Sequence, residues 1–477
     1  TGDDLYIGGT GNDTIEDTGG DDTYLFNLGD GQDTISDSAG ASDTLTFGVD
    51  VDKYTVKFEH IGDNLVLSID GTTDSITFTN WFNQYGPGYI VENITFTDGT
   101  VVTSTDVDTI LADGGYLVDT SFANFIDGTE AGETLRGTVD NDQIQGFGGN
   151  DTIIGDLGAD SLIGGAGNDS IYMDAMDSNI DGGEGMDTVY VQGVDGVSLD
   201  MTAANVEKAY GNEGDDTFDA TGSTAATRIY GRAGNDVLTG GTLNDVFYGE
   251  DGDDVLTGNE GNDTLVGGLG SDTISGGAGN DAIYIDADDL SIDGGEGTDT
   301  AYVQGTAGVT LDMTASSIEK AYGNEGADSF NASGSTVATR VYGRAGNDVL
   351  TGGTLNDVFY GEDGNDTLVG NAGNDTLVGG LGADTLNGGE GNDAIYIDAD
   401  DLSIDGGAGT DTAYVQGTVG TVLDMGASSI EKAYGNTGDD VLNASTATVG
   451  TRIYGRAGND VLTGSTFNDV FYGEDGD

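Results

Sequence analysis

Apolar residues in this chain recur with a period of nine. From residue 231 the sequence reads GRAGNDVLT, GGTLNDVFY, GEDGDDVLT, GNEGNDTLV, GGLGSDTIS and GGAGNDAIY, six units in one register ending at Tyr284. Position 1 is always Gly, position 6 always Asp, and position 8 always apolar: Leu238, Phe247, Leu256, Leu265, Ile274 and Ile283. One apolar residue between two outward-facing neighbours predicts a three-residue strand at positions 7 to 9, with its middle side chain turned inward. The Gly-rich remainder predicts a tight turn, because glycine accepts a positive φ that other residues resist. So short a strand buries its inward residue only by stacking on its neighbours. Two nonamers therefore make one coil of a flattened solenoid, and residues 18 apart lie over one another at roughly 4.8 Å. The expected fold class is all-β, a parallel β-roll or β-solenoid.

A longer period lies on top of the first. Tyr172, Tyr284 and Tyr396 are 112 residues apart, as are Arg228, Arg340 and Arg452, and Asp187, Asp299 and Asp411. Three copies are expected at 119–230, 231–342 and 343–454, with a fourth beginning at 455 and running to 477. Each copy makes about twelve half-coils, a rod segment of roughly 30 Å. Irregular turns within a copy keep an apolar residue in register, such as Ile292 and Val341, but some lose the acid: IDADDLSID carries Leu290 at position 6. The first 118 residues differ. They open with similar nonamers around Asp13, Asp22 and Asp33, then alternate as strands in DTLTFG, YTVKFEH, DNLVLSID, DSITFTNWF and ENITFTDGTVVTSTDV. A smaller all-β module with Trp81, Phe82 and Phe96 in its core is expected there. The chain starts without Met and stops inside a nonamer, so the array is expected to continue.

Charge changes the picture. Lys and Arg number 12 against 87 Asp and Glu, a formal charge of −75. Such a polyanion is repelled by nucleic acid and by anionic membrane surfaces, and neither is an expected partner. No apolar run approaches the roughly 20 residues that cross a bilayer, so no membrane insertion is expected. With no Cys and one His, thiolate and His-rich metal sites and a Ser-His-Asp triad are excluded. Carboxylates are the only abundant ligands. They are evenly spaced, Pro occurs once (Pro87), and 36% of residues are hydrophobic, all unlike a disordered acidic tail. Stacking places Asp236 over Asp254 and Asp245 over Asp263. A row of like charges at that spacing requires an intervening cation.

These units resemble the repeats-in-toxin (RTX) nonapeptide, GGxGxDxUx with U apolar, and the segment at residues 1–118 resembles the all-β domain that accompanies such repeats in secreted bacterial proteins. The resemblance implies a parallel β-roll with Ca²⁺ held between successive loops by the position-6 Asp and loop carbonyls. Carried over residue by residue, the metal ligands are Asp13, Asp22 and Asp33 at the amino-terminal end, and Asp142, Asp151, Asp160, Asp169 and Asp187 in the first copy. In the second copy they are Asp236, Asp245, Asp254, Asp263, Asp272, Asp281 and Asp299. Asp348, Asp357, Asp366, Asp375, Asp384, Asp393 and Asp411 follow in the third, with Asp460 and Asp469 after it. About twenty Ca²⁺ are expected on this basis, one shared between most stacked neighbours. Secretion, by a type I exporter and to the cell surface, is a further implication.

Other signals weigh less. Paired acids such as Asp215 with Asp216 and Asp253 with Asp254 suit acid-base chemistry, but the repeat already accounts for them. His60 reads as a partly exposed strand residue, and Asn262 to Thr264, although it fits a glycosylation acceptor, reads as loop. No catalytic residue is expected. All 15 Tyr beyond residue 118 fall at position 9 of alternate half-coils, which predicts a tyrosine ladder on one flat face opposite a polar one. Lys208, Arg228, Lys320, Arg340, Lys432 and Arg452 sit at position 7 beside them. That face suits self-stacking, or docking of another rod or a polysaccharide. The expected function is a calcium-binding extracellular structural rod, in a surface layer, adhesin shaft or filament. The alternative is the secretion and folding module of a larger enzyme or toxin.

Overall fold

The computed structural model describes residues 2–82, 91–97, 99–112, 115–117 and 122–476. Pro87 and the expected module boundary at 118/119 lie outside them. Contacts divide the chain into two units, residues 1–121 and 122–477.

The first unit begins as a roll. Strands β1 (Leu5–Ile7), β2 (Thr14–Asp17), β3 (Thr23–Phe26), β4 (Gln32–Asp37) and β5 (Thr44–Phe47) alternate between two faces, β1, β3 and β5 pairing in parallel on one and β2 and β4 on the other. The pairing then changes direction. Strands β6 (Val56–Ile61), β7 (Asn64–Ile69) and β8 (Ser75–Phe78) form an antiparallel meander whose β8 pairs in parallel with β4. On the opposite face β9 (Asn93–Thr95) extends β5 in parallel, and β10 (Val101–Thr103) closes the sheet antiparallel. Trp81 and Phe96 are buried in the core and Phe82 packs against it. His60 is exposed near the end of β6, its ring centred 3.7 Å from that of Phe82.

One element corrects the sequence reading. The stretch ending in STDV, read as strand, finishes in a short helix, α1 (Val107–Ala112). Asp106 starts it: its carboxylate accepts the Thr103 N–H at 2.8 Å and its carbonyl accepts from Thr109 and Ile110. Val107 and Ile110 are both buried. Two apolar residues three apart are too few for a helical period to show against strand alternation.

The second unit is the solenoid. Nineteen parallel strands, from Thr134–Arg136 to Val470–Tyr472, make one continuous sheet. The opposite face also has nineteen, but in separate sheets of four, six, six and three strands. With adjacent strands about 4.8 Å apart, the unit is roughly 90 Å long. The inward residues Leu238, Phe247, Leu256 and Leu265 each have 0% exposure, and each such side chain contributes about 1.5–3 kcal/mol on burial. Breaks in the second face follow Ser178–Glu184, Ser291–Gly297 and Ser403–Gly409, where the nonamer gives way to a longer turn. In that turn Met201, Ala204 and Val206 fill the core. Continuity thus passes to the other sheet.

Candidate metal sites

At both edges of the solenoid the position-6 aspartates form ladders. On one edge the Asp236 N–H donates to Asp254 Oδ1 at 2.8 Å and the Asp254 N–H to Asp272 Oδ1 at 2.9 Å. On the other, Asp245 donates to Asp263 at 2.7 Å, Asp263 to Asp281 at 2.8 Å and Asp281 to Asp299 at 2.7 Å. Each aspartate is therefore fixed through Oδ1 by the coil before it. Position 5 runs a second, exposed ladder: Asn280 N–H donates to Asn262 Oδ1 at 2.7 Å, and Ser271 N–H to Asp253 Oδ1 at 2.8 Å. Asn or Asp at position 5 serves this ladder, and an Asp there makes a paired acid, as at Asp253 with Asp254.

Oδ2 separates the predicted ligands into two groups. In Asp13, Asp22, Asp151, Asp160, Asp169, Asp187, Asp236, Asp254, Asp263, Asp272, Asp281, Asp299, Asp348, Asp366, Asp375, Asp384, Asp393, Asp411 and Asp460 it is buried with no hydrogen-bond partner. These nineteen all belong to the sequence-predicted set. A buried carboxylate oxygen left without a partner is strongly unfavourable, so each marks a place for a cation. The position-1 glycines show the shape of that place. A Cβ on Gly258 would collide with Asp263 Oδ2 and stand 2.5 Å from the Gly276 carbonyl oxygen, and one on Gly276 would meet Asp281 Oδ2 and the Gly294 carbonyl. A carboxylate of one loop and a carbonyl of the next coil thus converge on one small space. This all-oxygen set suits a hard divalent ion such as Ca²⁺.

Four of the remaining five are held differently. Asp245 and Asp357 accept the Gly241 and Gly353 N–H on Oδ2 at 2.8 Å, Asp469 accepts Ser465 at 2.8 Å, and Asp142 accepts Thr138 at 2.5 Å. Position 4 of these loops is Leu243, Leu355, Phe467 and Asp140, where other loops have glycine such as Gly261 at φ +136°. In each of these four loops a local amide turns onto the carboxylate; the loops of Asp216, Asp328 and Asp440 do the same although position 4 is glycine, because Gly214, Gly326 and Gly438 do not take the positive φ of Gly261. Asp33 is buried in the first unit, its Oδ1 accepting the Asp13 N–H at 2.9 Å.

The sequence reading missed several members. Where Leu290 occupies position 6 it is exposed, and Asp289 joins the ladder one residue early: Asp272 N–H reaches Asp289 Oδ1 at 3.3 Å, while Asp286 N–H caps Oδ2 at 2.7 Å. Asp177 and Asp401 do the same. Glu207, Glu319 and Glu431 end the other ladder, each accepting from the last aspartate at 2.8 Å. Asp216, Asp328 and Asp440 also sit in the ladder, with Oδ2 capped by Asn212, Asn324 and Asn436. The signal for the glutamates was available as a fixed offset of 20 residues from Asp187, Asp299 and Asp411.

Electrostatics agree with the geometry. Burial is the leading cause that raises Asp254 to about 6 and Asp263, Asp348 and Asp375 to about 7, from an ordinary 3.8. An acid whose pKa is higher folded than unfolded stabilises the fold when protonated; that contribution is full below pH about 4 and is lost as pH rises through 6 to 7. Calcium-stripped protein is therefore expected to gain parallel-β circular dichroism on acidification from pH 7.5 to 4. An identical signal at both pH values would contradict it.

Fold and edge together define a class: a calcium-binding parallel β-roll. Similarity to known families points the same way. The RTX calcium-binding nonapeptide repeat matches residues 1–35, 127–162, 155–175, 221–256, 230–265, 257–289, 342–377, 369–401 and 454–477, and the haemolysin-type calcium binding protein related domain matches 64–106. The chain belongs to the RTX repeat family. The second match spans β7 to β10, the strands that close both faces of the first unit, while residues 1–35 before it match the repeat. Stretches between matches, such as 290–341, hold the irregular turns. No curated protein matches the chain.

Proposed function

We propose that the chain is the shaft of a secreted, cell-surface structural protein, stiffened by about twenty Ca²⁺, with a tyrosine face for lateral contact and no catalytic site. The observation that carries this reading is the continuous sheet. Its strands bear three stacks of five tyrosines, from Tyr172 to Tyr248, Tyr284 to Tyr360 and Tyr396 to Tyr472, with ring centroids 4.4–5.1 Å apart and planes within 18°. Val266 and Val378 separate the stacks.

Positive charge gathers here and almost nowhere else. Lys208 stands 4.7 Å from the Tyr210 ring centre and Lys432 4.6 Å from that of Tyr434. The guanidiniums over the rings belong to Arg232, Arg344 and Arg456, at 5.6, 5.7 and 5.3 Å, whereas Arg228, Arg340 and Arg452 are exposed. Arg232, Arg344 and Arg456 hold φ of +79°, +73° and +70° to do so, at a position where glycine is easier. Two acidic rods repel at long range, so a neutral aromatic strip with local cations is where a second copy approaches at least cost. Secretion fits the charge, since low cytosolic calcium would leave the chain extended for export and millimolar calcium outside would fold it.

Replacing Tyr284, Tyr302 and Tyr322 by Ser tests the face. Three stacked pairs are lost, each worth about 0.5–1.5 kcal/mol, which lowers the melting temperature without preventing folding. Sedimentation in millimolar calcium should show weakened self-association. Unchanged association would remove the docking role and leave the stacks as stiffeners, while loss of polysaccharide retention alone would reassign the face to a glycan.

A further inference from the structure

Basic residues in the second unit are few and grouped. It has 10, and nine of them form three clusters 112 residues apart, the middle one being Lys320, Arg340 and Arg344. Lys320 and Arg340 are neighbours on adjacent parallel strands, as are Lys208 with Arg228 and Lys432 with Arg452. Successive clusters lie six strands apart along the continuous sheet, or about 29 Å. Among the described residues the ion pairs are Lys57 with Glu59 and Arg136 with Asp156, so exposed Arg340 has no acidic partner of its own. The loop leading into it, residues 332–339, holds no acid.

Acid stands on the other side of the same tyrosines. Along each strand the order is position 7, tyrosine at position 9, then the turn, where Glu325 follows Tyr322 and both Glu362 and Asp363 follow Tyr360. Glu325, Glu362 and Asp363 are exposed and, with Val303, Asn324 and Arg344, line a groove of about 520 Å³. Arg344 is the one cation in it and lies over the Tyr322 ring. The first copy repeats the groove, about 470 Å³, with Glu213, Glu250 and Asp251. The face is thus divided lengthwise, with its exposed cations before the tyrosines and its acids after them.

A two-fold axis through the tyrosines and parallel to the rod reverses that order. Tyrosine then meets tyrosine, and the basic pair of each copy lies over the acidic groove of the other at the same height. A two-fold axis across the rod keeps the order, so the basic columns share one side, the grooves share the other, and opposite charges do not meet. A shift of one 112-residue copy leaves a cluster unmatched, which sets the register. The strip of three residues along this sheet is roughly 900 Å², against about 800 Å² per partner in a standard stable interface.

We propose that two copies of this chain pair through their tyrosine faces in parallel and in register, with Lys320 and Arg340 of each seated against Glu325, Glu362 and Asp363 of the other. The inference rests on the self-association reading of that face and adds its orientation. Parallel pairing keeps like ends together, which suits rods standing side by side on one surface and not a bridge between two.

The chain has no Cys, so a single introduced thiol takes a label specifically. Val237 and Val461 are exposed on the sheet opposite the tyrosines, two copies or roughly 58 Å apart along the rod. Val237→Cys and Val461→Cys are each labelled with donor in one sample and acceptor in another. In a parallel pair both like-with-like mixtures should transfer energy strongly in millimolar calcium, since four sheet layers put the labels about 30 Å apart. In an antiparallel pair the two separations differ by about 115 Å, so both cannot be strong. Charge reversal gives the second readout. Lys320→Glu with Arg340→Glu, and separately Glu325→Lys with Glu362→Lys, should each weaken self-association at least threefold by sedimentation. An equimolar mixture of the two should recover it, because every cluster then faces a groove of opposite sign. Transfer at only one label position, or a mixture no tighter than either variant alone, would overturn the orientation while leaving the face in use. Wild-type chain that stays monomeric in calcium would defeat the self-association reading, and this inference with it. The label readout needs no charge variant, so it decides even where one fails to fold.

Discussion

Removal of calcium at pH 7.5 is expected to abolish the roll, seen as loss of the β signal in far-ultraviolet circular dichroism and its return in a few millimolar Ca²⁺. The reason is a balance of two terms set side by side in every half-coil. One inward Leu, Ile or Phe contributes about 1.5–3 kcal/mol. One position-6 carboxylate placed about 4.8 Å from its neighbour costs about 3 kcal/mol at an effective dielectric near 20, before the penalty of an unpartnered Oδ2. Burial alone does not carry the fold at neutral pH. An ion held at a hundredfold excess over its dissociation constant adds about 2.7 kcal/mol per site, comparable to the repulsion it offsets. Magnesium should restore little, because it keeps its waters and demands a tight octahedron. A β signal that survives calcium removal at pH 7.5 would refute this account.

The residues made the solenoid legible because its period is written in side chains: glycine at position 1, aspartate at 6 and an apolar residue at 8. The tyrosine face was legible for the same reason, since a residue confined to position 9 of alternate half-coils lies on one sheet, as Tyr284, Tyr302 and Tyr322 do. Three features were not. Capping of Asp245 by Gly241 depends on where a backbone amide points, and only the missing glycine at position 4 hints at it. The shift from Leu290 to Asp289 reflects an irregular turn, which a fixed count of nine steps over. Asp17 and Asp37 carry no signal in a count of nine, yet strand pairing sets them opposite one another and beside Asp22 and Asp43. In each case the register survived and the local backbone decided the chemistry.

The two aspartate groups should respond differently to substitution, and this separates metal binding from hydrogen bonding along one ladder. Asp263 has Oδ2 unpartnered and faces Asp245 and Asp281 in the adjacent coils. Asp263→Ala is expected to remove two neighbouring ions, raise the calcium midpoint, and cut the calcium-dependent gain in melting temperature. Asp245 accepts the Thr227 N–H and hydroxyl on Oδ1 and the Gly241 N–H on Oδ2. Asp245→Ala strands those donors, each bond to a charged acceptor being worth about 1.5–3 kcal/mol, so stability falls even in saturating calcium while the ion count changes less. Asp312 is exposed at the end of Thr310–Asp312, where its carboxylate accepts from Thr314 and Ala315, and Asp312→Ala should shift neither the ion count nor the calcium midpoint. Calcium stoichiometry by equilibrium dialysis, read beside melting temperature across a calcium series, distinguishes the three. Equal ion loss in the Asp263 and Asp245 variants would mean that an amide on Oδ2 does not exclude the metal, and the division into open and capped sites would fall.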